Sequence, residues 1–171
     1  MNIFILSQII EDCAIFHCDS HVVKMITESN QLLCSAHHIC GSKNSDYKIP
    51  YKLTHKNHPC AIWTRESIGN YVWLSKLCKA LCKEYTFRYG KVHKGEEVVD
   101  SLIENLPLIE KTDLTPFPLA MPNMYKSKDP VDSYRCFYYF EKTKLHKWSG
   151  NGKFGFRNTP SWILEYQEMT K

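Results

Sequence analysis

A chain of 171 residues is sized for one domain with a single substantial core. Hydrophobic residues at 43% and aromatics at 13% supply enough apolar surface to offset chain entropy, which excludes a disordered protein apart from the extreme C-terminus. A formal charge of +4 is mildly basic and permits a polyanionic partner without demanding one.

The segment NIFILS (2–7) reads as a short buried strand or an extended lead-in to a helix. The leading MNIFILSQII has no basic leader and is too short to span a bilayer. The expectation is a soluble, unsecreted protein with no membrane partner, cytoplasmic, or in host cytoplasm or nucleus if virus-encoded. From Glu11 to about Cys40 apolar residues recur at helical spacing, in one long helix or two broken near Asp19-Ser20, which can serve as an N-cap. Gly41 ends it, and GSKNSDYKIP is turn chemistry. Pro59 opens a second long helix that runs to about Tyr89 and closes at Gly90. A shorter amphipathic helix covers 95–106, and 107–129 is a proline-punctuated loop rich in Phe, Met and Tyr. Asp129-Pro130 is a cap and first-turn pair for a third long helix reaching about Trp148. The segment from 149 onward has no helical period. The expected fold is mainly α, over 1–171 as a single globular domain. It is a bundle of three long helices plus a shorter one, with a short N-terminal strand or extended segment, a long Pro-rich loop and an irregular C-terminal arm at 149–171.

Eight cysteines are scattered, with no CxxC pair to suggest a thiolate zinc site. Cys18, Cys34, Cys78 and Cys82 fall among helix-patterned apolar residues, where thiols act as small hydrophobes. The compartment is expected to be reducing.

On a helical wheel at roughly 100° per residue, His17, His21, Lys24 and Glu28 share about a 60° sector, joined by Gln31 and Ser35 and flanked by Thr27 and His38. As an ordinary solvent face this would be a Lys24–Glu28 surface pair worth a few tenths of a kcal/mol. A solvated face of that length normally carries several Lys and Glu. This one carries groups that titrate near neutrality or only hydrogen-bond, and they suit a cleft. Two chemistries follow. His17 and His21 with His55 or His58 from THKNH are a candidate metal cluster for a nuclease or phosphohydrolase. In the other, Glu28 is a catalytic carboxylate tuned by Lys24, His21 and His17, with no metal or organic cofactor.

The short N-terminal segment, the helix reading HVVKMITE, then HPCAIWTRE and EYTFRYGK together resemble an uncharacterised phage and large-virus protein family. More distantly they resemble the phage pyrimidine-dimer DNA glycosylases, small mainly helical base-excision enzymes with abasic-site lyase activity. The resemblance covers about residues 1–95. His21 and Glu28 reproduce that family's seven-residue histidine-to-glutamate spacing, and His58-Pro59 its second-helix start. The resemblance implies that Glu28 serves the sugar-ring chemistry while an amine attacks the anomeric carbon, with duplex DNA as partner. The family's nucleophile is the α-amine of a small residue exposed by loss of the initiator methionine. Here residue 2 is Asn, whose bulk hinders that removal and leaves the Met1 amine, so Lys24 is a substitute amine. Thr27 and Gln31 stand where the family has arginines.

Arg65, Lys76, Lys79 and Lys83 share about 60° of the second long helix, and Lys91, His93 and Lys94 follow its end, a row able to neutralise phosphates or simply to face solvent. Lys142 to Arg157, including Lys147, is a second basic stretch, interleaved with Trp148, Phe154 and Phe156. It suits stacking on unpaired bases or clamping of the arm onto its own core. In the third helix Arg135 is a candidate phosphate ligand, while Tyr134, Tyr138, Phe137 and Phe140 suit core packing. Phe117, Met121 and Tyr125 are expected to plug the core. The expected function is a DNA-directed N-glycosylase, with abasic-site lyase activity as an extension, acting on a damaged or modified base. The metal-dependent hydrolase and a non-enzymatic viral protein that binds nucleic acid or a host factor are the alternatives.

Overall fold

The computed structural model describes residues 2–171. The fold is mainly α: α1 (Ile10–Phe16), α2 (Asp19–Cys40), α3 (Pro59–Glu66), α4 (Ile68–Tyr89), α5 (Gly95–Glu104), α6 (Pro130–Lys142) and α7 (Ser161–Met169). Among the described residues there is no strand, only an isolated bridge between Ser42 and Pro107. No helix is long and apolar enough to cross a membrane.

The two 22-residue helices, α2 and α4, form the spine. α1 and α5 pack on α4, and α3 packs on both. Cys18, Cys34, Cys78 and Cys82 are all fully buried in this core, consistent with their reading as small hydrophobes, and all eight cysteines are free thiols. α4 stops at Gly90, which adopts the left-handed conformation at φ +63 and donates its N–H to Thr86 O. A side chain there would also meet the Phe154 ring at 2.4 Å, so conformation and space both demand glycine. At the other end of α4, a Cβ on Gly69 would lie 2.7 Å from backbone atoms of Thr112 and Leu114. Glycine is what lets that loop cross the helix.

The stretch read as one long helix or two broken near Asp19-Ser20 is two helices, and the second expected long helix is broken as well. The first breaks at His17 and Cys18, both extended, so α2 starts at Asp19 with Cys18 in the capping position. Asp19 is therefore inside the helix, not its cap. The second breaks at Ser67, whose hydroxyl caps α4 by accepting from Asn70 N at 3.1 Å. The third starts as expected: the Asp129 carboxylate accepts from Val131 N and Asp132 N, with Pro130 following. It ends at Lys142 and gives way to a short 3-10 turn. The C-terminal arm also departs from expectation, because Ser161–Met169 is helical and buries Trp162 and Ile163. That helix has too little amphipathic length to announce itself.

Residues 2–7 belong to no helix or strand and thread through the core, with Ile5 and Leu6 fully covered. Burying such side chains contributes about 1.5–3 kcal/mol each before entropy. Phe4 carries φ +49, a left-handed conformation that costs a bulky residue about 1–2 kcal/mol. Its ring lies parallel between His21, with centroids 4.9 Å apart, and Phe137 at 6.2 Å, with Tyr138 edge-on at 5.2 Å. The strain is held by that stack.

Candidate active site

The N-terminal half of α2, the buried segment at 2–4, residue 120 of the proline-rich loop and the second half of α6 line a half-open chamber of about 270 Å³. Its lining includes Asn2, His21, Lys24, Glu28, Phe137 and Lys142. The polar sector of α2 is thus divided along its length. His21, Lys24 and Glu28 face the chamber. Further along, Ser35 is covered by the 51–55 loop, donating to Thr54 O at 3.0 Å, and His38 meets Tyr51 O.

Glu28 is held on more than one side. Its side chain is only 13% exposed, and Oε1 lies 3.3 Å from Lys24 Nζ. Oε2 accepts from the backbone N–H of Asn2 at 3.3 Å. Asn2 is fixed in turn: Nδ2 donates to Ala120 O at 2.9 Å, and Oδ1 accepts from Ile3 N at 2.8 Å. Lys24 is two-thirds exposed and ion-paired, the reverse of the desolvated surroundings that activate a lysine nucleophile. Met1 lies outside the described residues.

His21 is 4% exposed, and its Nδ1 meets the Tyr138 hydroxyl at 2.8 Å. Burial, then the charges of His17 and Lys142, lower its pKa to about 3. It is therefore a neutral imidazole at pH 7, with Nδ1 engaged by protein and Nε2 left as the other ring nitrogen. His58 caps α3, its Nδ1 accepting from Cys60 N at 3.1 Å. It stands near enough for the Glu28 charge to oppose the lowering of its pKa by burial.

His17 does not join this group. It occupies the end of α1, fully buried, with Nδ1 against Cys13 O at 2.7 Å, and burial lowers its pKa to about 4. The break at 17–18 removes the i,i+4 relation to His21 on which the metal cluster rested. His55 bonds Thr54, and His58 is occupied as a cap. Among the described residues no group of three or more His, Cys, Asp or Glu side chains converges as a metal site would require.

The break itself is built by a residue without a sequence signal. Arg88 on α4 is fully buried and donates to Ile15 O at 2.8 Å and His17 O at 3.0 Å, satisfying carbonyls at the end of α1. It also pairs with Asp19 at 2.9 Å and Glu84 at 2.7 Å. Burial alone would raise the Glu84 carboxyl, but hydrogen bonds from Arg157 and the charge of Arg88 outweigh it, and the net shift is downward. Asp19 Oδ2 accepts from Gly150 N, which ties the C-terminal arm to the start of α2.

The cations expected to meet nucleic acid fall into three situations. Arg65 sits on α3, not on the face of α4, and donates to Lys56 O. Lys79 is tied to Glu96 and Asp100, Arg157 to Glu84 with its guanidinium over Phe87, and Arg135 to Leu6 O with its guanidinium over Phe16 and Trp162. Their charges are engaged internally. Lys76, Lys83, Lys91, Lys94 and Lys147 are exposed. Lys76, Lys79, Lys83 and Arg157 line a groove of about 460 Å³ between α1 and α4, which shares no lining residue with the chamber. The cations that border the chamber are Lys24 and Lys142. Lys142 reads in the sequence only as the start of the basic stretch to Arg157, and Asn2 only as the residue after Met1; neither is marked there as lining a chamber. Phe137 reads there as core, and nothing local links either end of the chain to α2.

Fold and site together define a mainly α single domain with a small polar chamber between α2 and α6. Comparison with protein-family models, curated proteins and solved structures finds no match in any of the three.

Proposed function

We propose that the chamber is the active site of a DNA-directed N-glycosylase that acts on a damaged or modified base extruded from the stack. One observation carries the reading. A shielded carboxylate, Glu28, lies within 3.3 Å of both the backbone nitrogen of residue 2 and the ammonium of Lys24, beside a neutral histidine. The resemblance of residues 1–95 to the pyrimidine-dimer glycosylases implies that juxtaposition of N-terminus and glutamate.

In the hydrolytic form of the reaction, water attacks the anomeric carbon and gives its proton to Glu28. The glycosidic C–N bond breaks, and the base departs with the bonding electrons and takes up a proton. In the lyase form an amine of the protein attacks the same carbon and sheds a proton as the base leaves in the same way; the C1′–O4′ ring bond then breaks, with O4′ taking up a proton, to leave an iminium. Among the described residues the amine paired with Glu28 is that of Lys24, whose side chain is two-thirds exposed. The test is base release from duplexes carrying single modified bases, with borohydride present to reduce any imine to a stable amine. Peptide mass then locates an adduct at the N-terminus, Lys24 or elsewhere. No adduct removes the lyase form, and no base release from any duplex removes the glycosylase reading.

A further inference from the structure

Lys142 ends α6 on the wall contributed by that helix, and its ammonium lies 5.2 Å from the centroid of the Phe137 ring, which lines the same chamber. The two lysines of the chamber differ in their pairing. Lys24 is matched by Glu28 at 3.3 Å. Lys142 makes no ion pair among the described residues. Its charge nevertheless reaches inward, because it is among the groups that keep His21 unprotonated, ahead of Lys24. The chamber therefore holds one carboxylate already balanced by a lysine and a second lysine left over. Next to that lysine are a neutral imidazole and an aromatic face.

Building on the glycosylase reading, we propose that Lys142 is an anion subsite that takes a phosphate group of the substrate, while Phe137 packs against the attached sugar or base. An unbalanced ammonium at the rim of a partly enclosed site attracts an anion more strongly than it would in open water. Of the parts of a nucleotide, only the phosphate carries full negative charge at neutral pH. The substrate unit admitted is thus a nucleotide, not a free base or an unphosphorylated nucleoside. A phosphodiester of a DNA strand and the phosphate of a free nucleotide present the same chemistry to Lys142.

The experiment measures binding to the full chain, at fixed ionic strength, of the four deoxynucleosides, the four deoxynucleoside 5′-monophosphates, and a duplex bearing a tetrahydrofuran abasic-site analogue. The expected result is that at least one phosphorylated ligand binds tenfold or more tighter than its unphosphorylated counterpart. Lys142→Gln abolishes that preference, and Lys142→Arg retains most of it. Preference seen only with the duplex assigns the phosphate to a DNA strand, and preference with a monophosphate assigns it to a free nucleotide. Equal binding of nucleoside and nucleotide, with the duplex also unaffected by Lys142→Gln, overturns the subsite. So does a phosphate preference that survives in Lys142→Gln with an unchanged melting temperature. Base release that proceeds equally in Lys142→Gln would sink the subsite and leave the glycosylase reading standing. Phosphate preference without base release does the reverse.

Discussion

The backbone N–H of Asn2 donates to Oε2 of Glu28 across 3.3 Å, joining positions 26 residues apart in the chain. That contact brings the start of the chain against the carboxylate in the chamber, and the Asn2 side chain holds it there through Ala120 O and Ile3 N. Asn2→Ala removes the hydrogen bonds with Ala120 O and Ile3 N, worth about 1 kcal/mol each, and a weak one accepted from Cys60 Sγ at 3.7 Å, so the melting temperature should fall by only about 4–8 °C. Base release should fall by about tenfold or more, since a small misplacement of reacting groups is costly. Melting curves and single-turnover rates on the same preparation check this. An unchanged rate would remove residue 2 from the chemistry.

Arg88 anchors the break that aims the start of α2 at the chamber. Arg88→Met leaves Asp19 and Glu84 buried beside a lost cation and orphans the carbonyls of Ile15 and His17. Breaking such a buried network costs about 3–5 kcal/mol, a drop in melting temperature on the order of 10 °C. Arg157→Ala should cost far less, because Arg157 is 30% exposed and Glu84 keeps Arg88. Urea denaturation of the two variants orders them directly, and equal losses would contradict the central place given to Arg88.

Three buried histidines set an acid limit on stability. Burial lowers the pKa of His17 to about 4, of His21 to about 3 and of His37 to about 4, from an ordinary 6.5. His37 is held between Ser42 Oγ and Tyr71 OH. Below pH 6.5 the unfolded chain takes up protons that the folded chain refuses, so their contribution is intact above 6.5 and drains away as pH falls toward 4. The slope is at most about 1.4 kcal/mol per pH unit for each histidine. Denaturant midpoints at pH 7.5, 6 and 5 should fall in that order, and His37→Gln should flatten the decline. A pH-independent midpoint would contradict the neutral, buried state of these rings.

What the sequence discloses depends on how local the cause is. The composition of the α2 face, with histidines and amides where lysines and glutamates belong, marks His21, Lys24 and Glu28 as chamber residues because a helix repeats its own periodicity. Asp129-Pro130 and Gly90 mark their helix ends for equally local reasons. The capping residues Asp19-Ser20 hint at a break in the first long helix, but its place at His17-Cys18 is not legible because its anchor, Arg88, lies 71 residues away from His17. Arg135, Arg157 and Lys79 read as free cations because their acceptors, Leu6 O, Glu84, Glu96 and Asp100, are supplied by folding. Lys142 closes the chamber from α6 for the same reason, and only the packing of α6 against residues 2–7 reveals it.

The most direct test of the account is the rate of base release by Glu28→Gln beside the parent protein, on the modified-base duplex that the parent cleaves best. The exchange keeps the shape of the side chain and removes only its charge and basicity. The account predicts a rate at least about 100-fold lower with a melting temperature within about 4 °C, the equivalent of roughly 1 kcal/mol or less. Equal rates for the two proteins would contradict it.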